Sequence, residues 1–101
     1  MSDPAQSGFD AIRLASADNV ATVLRPVACG DTLRLRGAKD ARLVASQDIP
    51  LCHKIALTAL AAGDRVVKYG QTIGEATAAI RVGDHVHVHN MRSLRAARHG
   101  G

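Results

Sequence analysis

Hydrophobic positions in this chain come in short alternating bursts separated by turn-forming residues, a pattern of strands rather than of long helices. The first ten residues are polar, with Pro4 and Gly8, and read as a loose arm (1–10). "AIRLA" (11–15) then predicts a strand, "SADN" (16–19) a turn, and "VATVL" (20–24) a second strand, β-branched at Val20, Thr22 and Val23. Pro26 closes that element, because proline lacks the amide that a ladder needs. A further short strand centres on Leu43-Val44, and Ile49-Pro50 follows it.

Three later segments share one device. "ACGDTLRL" (28–35), "AAGDRVVKYG" (61–70) and "RVGDHVHVHN" (81–90) each place Gly-Asp ahead of an alternating stretch. Glycine supplies the positive φ of a tight turn, and aspartate can accept backbone amides within it. The repetition is too degenerate for a solenoid, so the expectation is one small, mostly β domain of short strands and many turns. Two stretches stay open. "HKIALTAL" (53–60) suits a strand or a short helical turn, and in "IGEATAAI" (73–80) the seven-residue spacing of Ile73 and Ile80 favours a helical turn. The tail beyond Asn90 permits helix at Leu94, Ala96 and Ala97, gathers Arg92, Arg95 and Arg98, and stops at the final glycines.

Composition narrows this picture. The 101 residues allow one domain, and 47% are hydrophobic, yet Phe9 and Tyr69 are the only aromatics. The core must therefore be built thinly from Val, Ile, Leu and Ala, which hints at support from a partner chain or a second copy. A net charge of +4 favours an anionic partner. Without a platform of stacking aromatics, composition argues against a single-stranded nucleic-acid reader. Cys29 and Cys52 form neither a CxxC nor a secretory framework. "MSDPAQSGFD" is unlike a signal peptide, and no apolar run approaches the roughly 20 residues that span a membrane. The expectation is a reduced, cytoplasmic protein.

The candidate chemistry concentrates in "GDHVHVHN" (83–90). On a strand, His85, His87 and His89 share one face, at about 6.6–7 Å per two-residue step, while Val86 and Val88 point to the core. Two imidazoles at i and i+2, here His85 and His87, can meet one metal ion at about 2.0–2.1 Å from each nitrogen. A third ligand comes more naturally from elsewhere in this chain or a partner. The competing reading is a solvated strand face. His53-Lys54, just after Pro50, can contact a carboxylate or hydroxyl, or be an ordinary exposed pair. Lys68-Tyr69-Gly70 offers an anion-positioning lysine and the one tyrosine, or a rim aromatic beneath a snorkelling lysine. Cys52 beside His53 reads better as a buried structural thiol than as a metal ligand. There is no Ser/His/Asp arrangement, phosphate loop or zinc-finger spacing.

The run 48–90 resembles a known family through "IP" then "HK", "GD" then "V-KYG", "IG-A" and "GDHVHVHN", with "DNVATVL" and Gly30-Asp31 upstream. It looks like the SAF-type domain that begins altronate and galactarate dehydratases and also occurs as a separate small subunit. That resemblance implies a β-clip fold of bent hairpins, here over 11–91, with one or two short helical turns and a basic tail at 92–101. It implies a cytoplasmic lyase that removes water from a hydroxylated, anionic sugar acid to give a 2-keto-3-deoxy acid. The chemistry needs a base, an acid for the leaving hydroxyl and a cation for the developing enediolate. The family implies a divalent metal, iron or manganese, shared with a large subunit.

Fused members continue beyond the equivalent of "HNMRSLR", so the resemblance implies a small subunit that docks on a large one. His85, His87, His89 and Asn90 are then expected to face the active site. His53 and Lys54, then Lys68 and Tyr69, are expected to contact substrate. A related two-subunit enzyme, sulfolactate sulfo-lyase, releases bisulfite instead of water, and a non-catalytic ligand-binding SAF module is the reading from another class. The sequence departs from the family's pattern at Cys52, where glycine is expected, and mildly at Met91.

Overall fold

A computed structural model describes residues 8–37 and 41–94. Residues 1–7 of the expected arm, and the tail from 95 with Arg95 and Arg98, lie outside the described residues. Among those described, the elements are all strands: β1 (Ala11–Ile12), β2 (Val20–Val23), β3 (Thr32–Arg36), β4 (Arg42–Val44), β5 (Lys54–Ala56), β6 (Arg65–Lys68), β7 (Gln71–Ala76), β8 (His85–Val86) and β9 (Met91–Ser93). They form a six-stranded sheet in the order β4-β3-β1-β2-β5-β8 and a three-stranded sheet in the order β6-β7-β9. The β1–β3 pair is parallel and the other pairs are antiparallel. This curled, mostly β architecture fits the SAF domain that the sequence resembles.

The pleat explains how so short a chain makes two cores. Successive side chains on a strand point to opposite faces. On β2, Val20 enters one cluster with Ala56, Val66, Ile80 and Val86, whereas Ala21 and Val23 enter the other with Leu33, Ile49 and Ile55. On β5, Ile55 joins the cluster of Ala21 and Val23, and Ala56 the cluster of Val20. Strands β2, β5 and β8 thus form the wall shared by both halves. The largest fully buried side chains are Leu33, Ile49, Ile55 and Ile80. Each contributes about 1.5–3 kcal/mol by leaving water. Tyr69 is exposed and no aromatic is buried among the described residues, so the core is aliphatic, as composition required.

The Gly-Asp motifs do one physical job. In each, the aspartate Oδ2 accepts the amide three residues earlier, and the aspartate amide donates to that residue's carbonyl: Ala28 and Asp31, Ala61 and Asp64, Arg81 and Asp84. Two turns without glycine use the same closure, Ala15 with Asp18 and His87 with Asn90.

The structure overturns the sequence reading at two places and settles a third that the sequence left open. The stretch 73–80 forms the end of β7 and continues to an isolated bridge between Leu60 and Ile80. The spacing of its two isoleucines therefore reflects a strand and a bridge, not a helical turn. The stretch 53–60 likewise holds β5 and the other half of that bridge. The histidine run is strand only at His85–Val86; residues 87–90 turn, and Val88 is 78% exposed rather than core. Asn90 causes that reversal, because its side chain satisfies the backbone that further strand pairing would have used.

Candidate functional site

Strands β5 and β8 pair antiparallel with Ile55 opposite His85 and Lys54 opposite Val86. Carried one step outward, the register sets His53 against His87. Residues 53, 55, 85 and 87 then share a face, with Ile55 in the core and the histidines at the end of the ladder. Their rings gather accordingly. His53 stacks on His87 with centroids 4.4 Å apart and lies 5.1 Å from His85. His85 and His87 are 5.5 Å apart and 11° from parallel. The turn at 87–90 brings His89 back to 5.3 Å from His85.

One nitrogen each from His53, His85 and His87 lies within 4.8 Å of the others, and all three residues are half-buried. Two donors at about 2.0–2.1 Å from one ion stand up to about 4.2 Å apart, so small ring rotations suffice to converge. His53 Nδ1 and His85 Nε2 are already at 2.9 Å, one ring donating to the other. That contact requires a lone pair on one ring, the form in which imidazole also ligates. Burial first, then the charges of His53, His89, His87 and Lys54, pushes His85 down to about 4. His87 is lowered by burial and by the same neighbours, His53, Lys54 and His89. Three imidazole nitrogen donors on one rim fit a divalent transition metal.

The backbone around these rings is held by side chains. Asn90 is buried; its Oδ1 accepts the His87 amide and its Nδ2 donates to the His85 carbonyl, both at 2.9 Å. Its amide is therefore committed to shaping the histidine turn. Gln47 Oε1 accepts the His85 amide at 2.8 Å, capping the outer edge of β8, and Ser46 bonds Asp84 at its start.

Lys54 lies on the opposite pleat of β5 from His53. Burial and the charge of Lys68 lower its pKa, so the two ammonium groups are close enough to repel. Lys68 ends β6 and stacks its ammonium 4.7 Å above the Tyr69 ring. Tyr69 and Gly70, with φ of 56° and 73°, make a two-residue turn between β6 and β7. Asp18 and Asn19 lash that turn to the start of β2: Asp18 Oδ1 accepts the Gly70 amide, and Asn19 bonds both Val67 N and Arg65 O. The structure thus brings His53, His85, His87 and His89 together and sets Lys54 near them, while Lys68 is tied to Lys54 and to the exposed Tyr69 ring.

A groove of about 510 Å³ opens beside His85, lined by Pro26, Ile49 and Pro50 and by the carboxylates of Asp31 and Asp48. Sequence reading missed this groove, Gln47, the turn-forming role of Asn90, and His53 as the third nitrogen. His53 had been set apart as a substrate contact, and only the β5–β8 register reveals its place. Cys52 is exposed, not the buried thiol expected, and at φ 71° it occupies the left-handed conformation that explains the glycine expected there. The turn survives the change, with His53 N donating to Pro50 O at 3.0 Å.

The altronate/galactarate dehydratase SAF domain family matches residues 9–94. The (2R)-sulfolactate sulfo-lyase subunit alpha of Paracoccus pantotrophus is 52% identical over 56 residues, covering 55% of this chain and 84% of that protein. The altronate dehydratases of Bacillus subtilis (strain 168) and Escherichia coli (strain K12) are 38% and 40% identical over 82 residues, 81% of this chain. This chain spans 16% of the length of each of those two enzymes. Among the described residues no helix is long and apolar enough to cross a membrane.

Proposed function

The chain belongs to the altronate/galactarate dehydratase SAF domain family, and from that premise we propose that it is the small subunit of a hydro-lyase acting on hydroxylated sugar acids. The observation that carries this reading is the convergence of His53, His85 and His87 on one rim. These three residues would hold a divalent metal, iron or manganese, shared with a large subunit. When bound, the metal would supply positive charge for the enediolate that develops as the α proton leaves.

The chain's own groups have distinct tasks. Lys54 and Lys68 repel each other, so a substrate carboxylate between them relieves that repulsion as it binds. Tyr69 offers a hydroxyl donor at the rim. His89 lies beside His85 and outside the three-nitrogen group, so it is free to take or give a proton. Val88 and Leu51, both exposed, flank these histidines in sequence on a face a large subunit would cover.

A second reading rests on the sulfo-lyase subunit relative, which this chain nearly spans: the same rim could serve release of bisulfite instead of water. Co-expression with a candidate large subunit, followed by assays for 2-keto-3-deoxy acid from aldonates and for bisulfite from (2R)-sulfolactate, separates the two. Dehydration that persists in the triple variant His53→Ala, His85→Ala, His87→Ala would sink the role given to this rim.

A further inference from the structure

Resting on the lyase reading, we propose that the groove beside His85 is a subsite for the uncharged, polyhydroxylated tail of a monocarboxylic sugar acid. Asp31 and Asp48 then act as specificity residues that disfavour a second anionic group. The groove's volume of about 510 Å³ lies within the usual range of about 300–1,000 Å³ for small-molecule sites. Its floor is fixed, because Val27 and Ile49 exchange backbone hydrogen bonds at 2.9 and 2.8 Å beneath it. His85 belongs both to the imidazole cluster and to the lining of the groove. A substrate held at the histidines therefore reaches the groove without leaving the site.

The chemistry of the edge selects what enters. Asp31 Oδ2 accepts the Ala28 amide and the Arg25 guanidinium, and Asp48 Oδ1 accepts the Cys29 amide. The second oxygen of each carboxylate has no partner among the described residues, so each can accept a substrate hydroxyl in a charge-assisted bond. The Ala28 amide and Arg25 hold the Asp31 carboxyl below its usual range, which keeps it ionised. Arg25 is divided between Asp10 and Asp31, so its one guanidinium charge is shared by two carboxylates. Across β5, the pleat puts Lys54 near Lys68. Carboxylates edge the groove, whereas Lys54 on the far pleat of β5 adds positive charge near His85 and His87, so the charge changes sign from the histidines to the groove. A monocarboxylate whose one anionic group sits at the histidines brings only hydroxyls to the groove. A dicarboxylate sets its far group against Asp31 and Asp48, the kind of repulsion by which a site rejects a competitor. A three-carbon sulfonate leaves the groove unfilled.

The test compares D-altronate, galactarate and (2R)-sulfolactate as substrates of the complex of this chain with its large subunit. D-altronate should show the highest kcat/KM, by about tenfold over galactarate. Asp48→Asn removes the charge and keeps the acceptor for Cys29 N, so the altronate-to-galactarate ratio should fall about tenfold, and Asp31→Asn should move it the same way. An unaltered ratio in both variants, with folded complex still turning over substrate, overturns the subsite and leaves the lyase reading standing. Preference for galactarate in the unmodified complex also overturns it. Consumption of none of the three overturns the lyase reading itself, and the subsite with it.

Discussion

His53 Nδ1 lies 2.9 Å from His85 Nε2, across 32 residues of sequence. The pairing of β5 with β8 makes this contact, and the Ile55 side chain on the same face is fully buried. The two rings are therefore fixed by a core element rather than by a mobile loop. A pair held in this way loses little freedom when it closes on an ion.

Metal binding by the isolated chain should follow the three-nitrogen group. In calorimetric titrations with Mn²⁺ and Co²⁺, His53→Ala, His85→Ala or His87→Ala should each weaken affinity by about 100-fold or more. His89→Ala should change it by less than about fivefold. A larger effect at His89 than at His53 would refute the assignment of the third nitrogen.

Asn90 should matter through the turn it shapes. Asn90→Ala releases both the His85 carbonyl and the His87 amide, and should weaken metal affinity by about 10–100-fold. Asn90→Asp keeps the acceptor for His87 N and loses the donor to His85 O, so it should fall between the two. Affinity unmoved in Asn90→Ala, with thermal stability lowered, would leave Asn90 a role in stability alone.

The metal-free protein should lose stability between neutral and mildly acid pH. Unfolded histidine takes up a proton near 6.5, whereas folded His85 does so only at about 4. Unfolding therefore takes up a proton between those values: stability is full above pH 6.5 and is lost as pH falls towards 4. The slope for one histidine is at most about 1.4 kcal/mol per pH unit. Melting temperatures measured from pH 7.5 to 4.5 should fall, and His85→Gln should flatten the curve. Asp18 adds a lower limb. Burial raises its pKa, but the Gly70 and Ala15 amides outweigh that and lower it, so its contribution is lost only below pH 3.8.

Cys52 holds a conformation suited to glycine. A non-glycine residue there costs about 1–2 kcal/mol, part of which returns as the greater unfolded-state entropy of glycine. Cys52→Gly should stabilise the chain by about 0.5–1 kcal/mol in urea denaturation; destabilisation would show that the thiol makes a compensating contact.

Two glycines of the repeated turns should respond differently to alanine. At Gly63 nothing stands within 4 Å of an added Cβ, whereas at Gly83 the Val44 carbonyl oxygen would lie at 2.3 Å. Both have positive φ. Gly63→Ala should cost about 1–2 kcal/mol from conformation alone, and Gly83→Ala about 3 kcal/mol or more. Equal costs, read as urea midpoints, would count against the close packing of that turn on β4.

The sequence by itself determined the strand-and-turn character of the chain, because alternation and Gly-Asp punctuation act over a few residues. It determined the aliphatic core, since no aromatics were available to fill one. It also marked His53, Lys54, Lys68, Tyr69 and the histidine run as a set, through motifs shared with a family. Two local inferences failed for one reason: the spacing of Ile73 and Ile80, and the alternation of His85 to His89, each fit more than one backbone path. The Asn90 side chain, bonded to His85 O and His87 N, decided the second path. Only the tertiary structure determined that His53 joins His85 and His87, and that a carboxylate-edged groove lies beside His85. Both depend on the register between strands far apart in the chain, which is set by burying Ile55, Ala56 and Val86 together and leaves no periodic trace in the sequence.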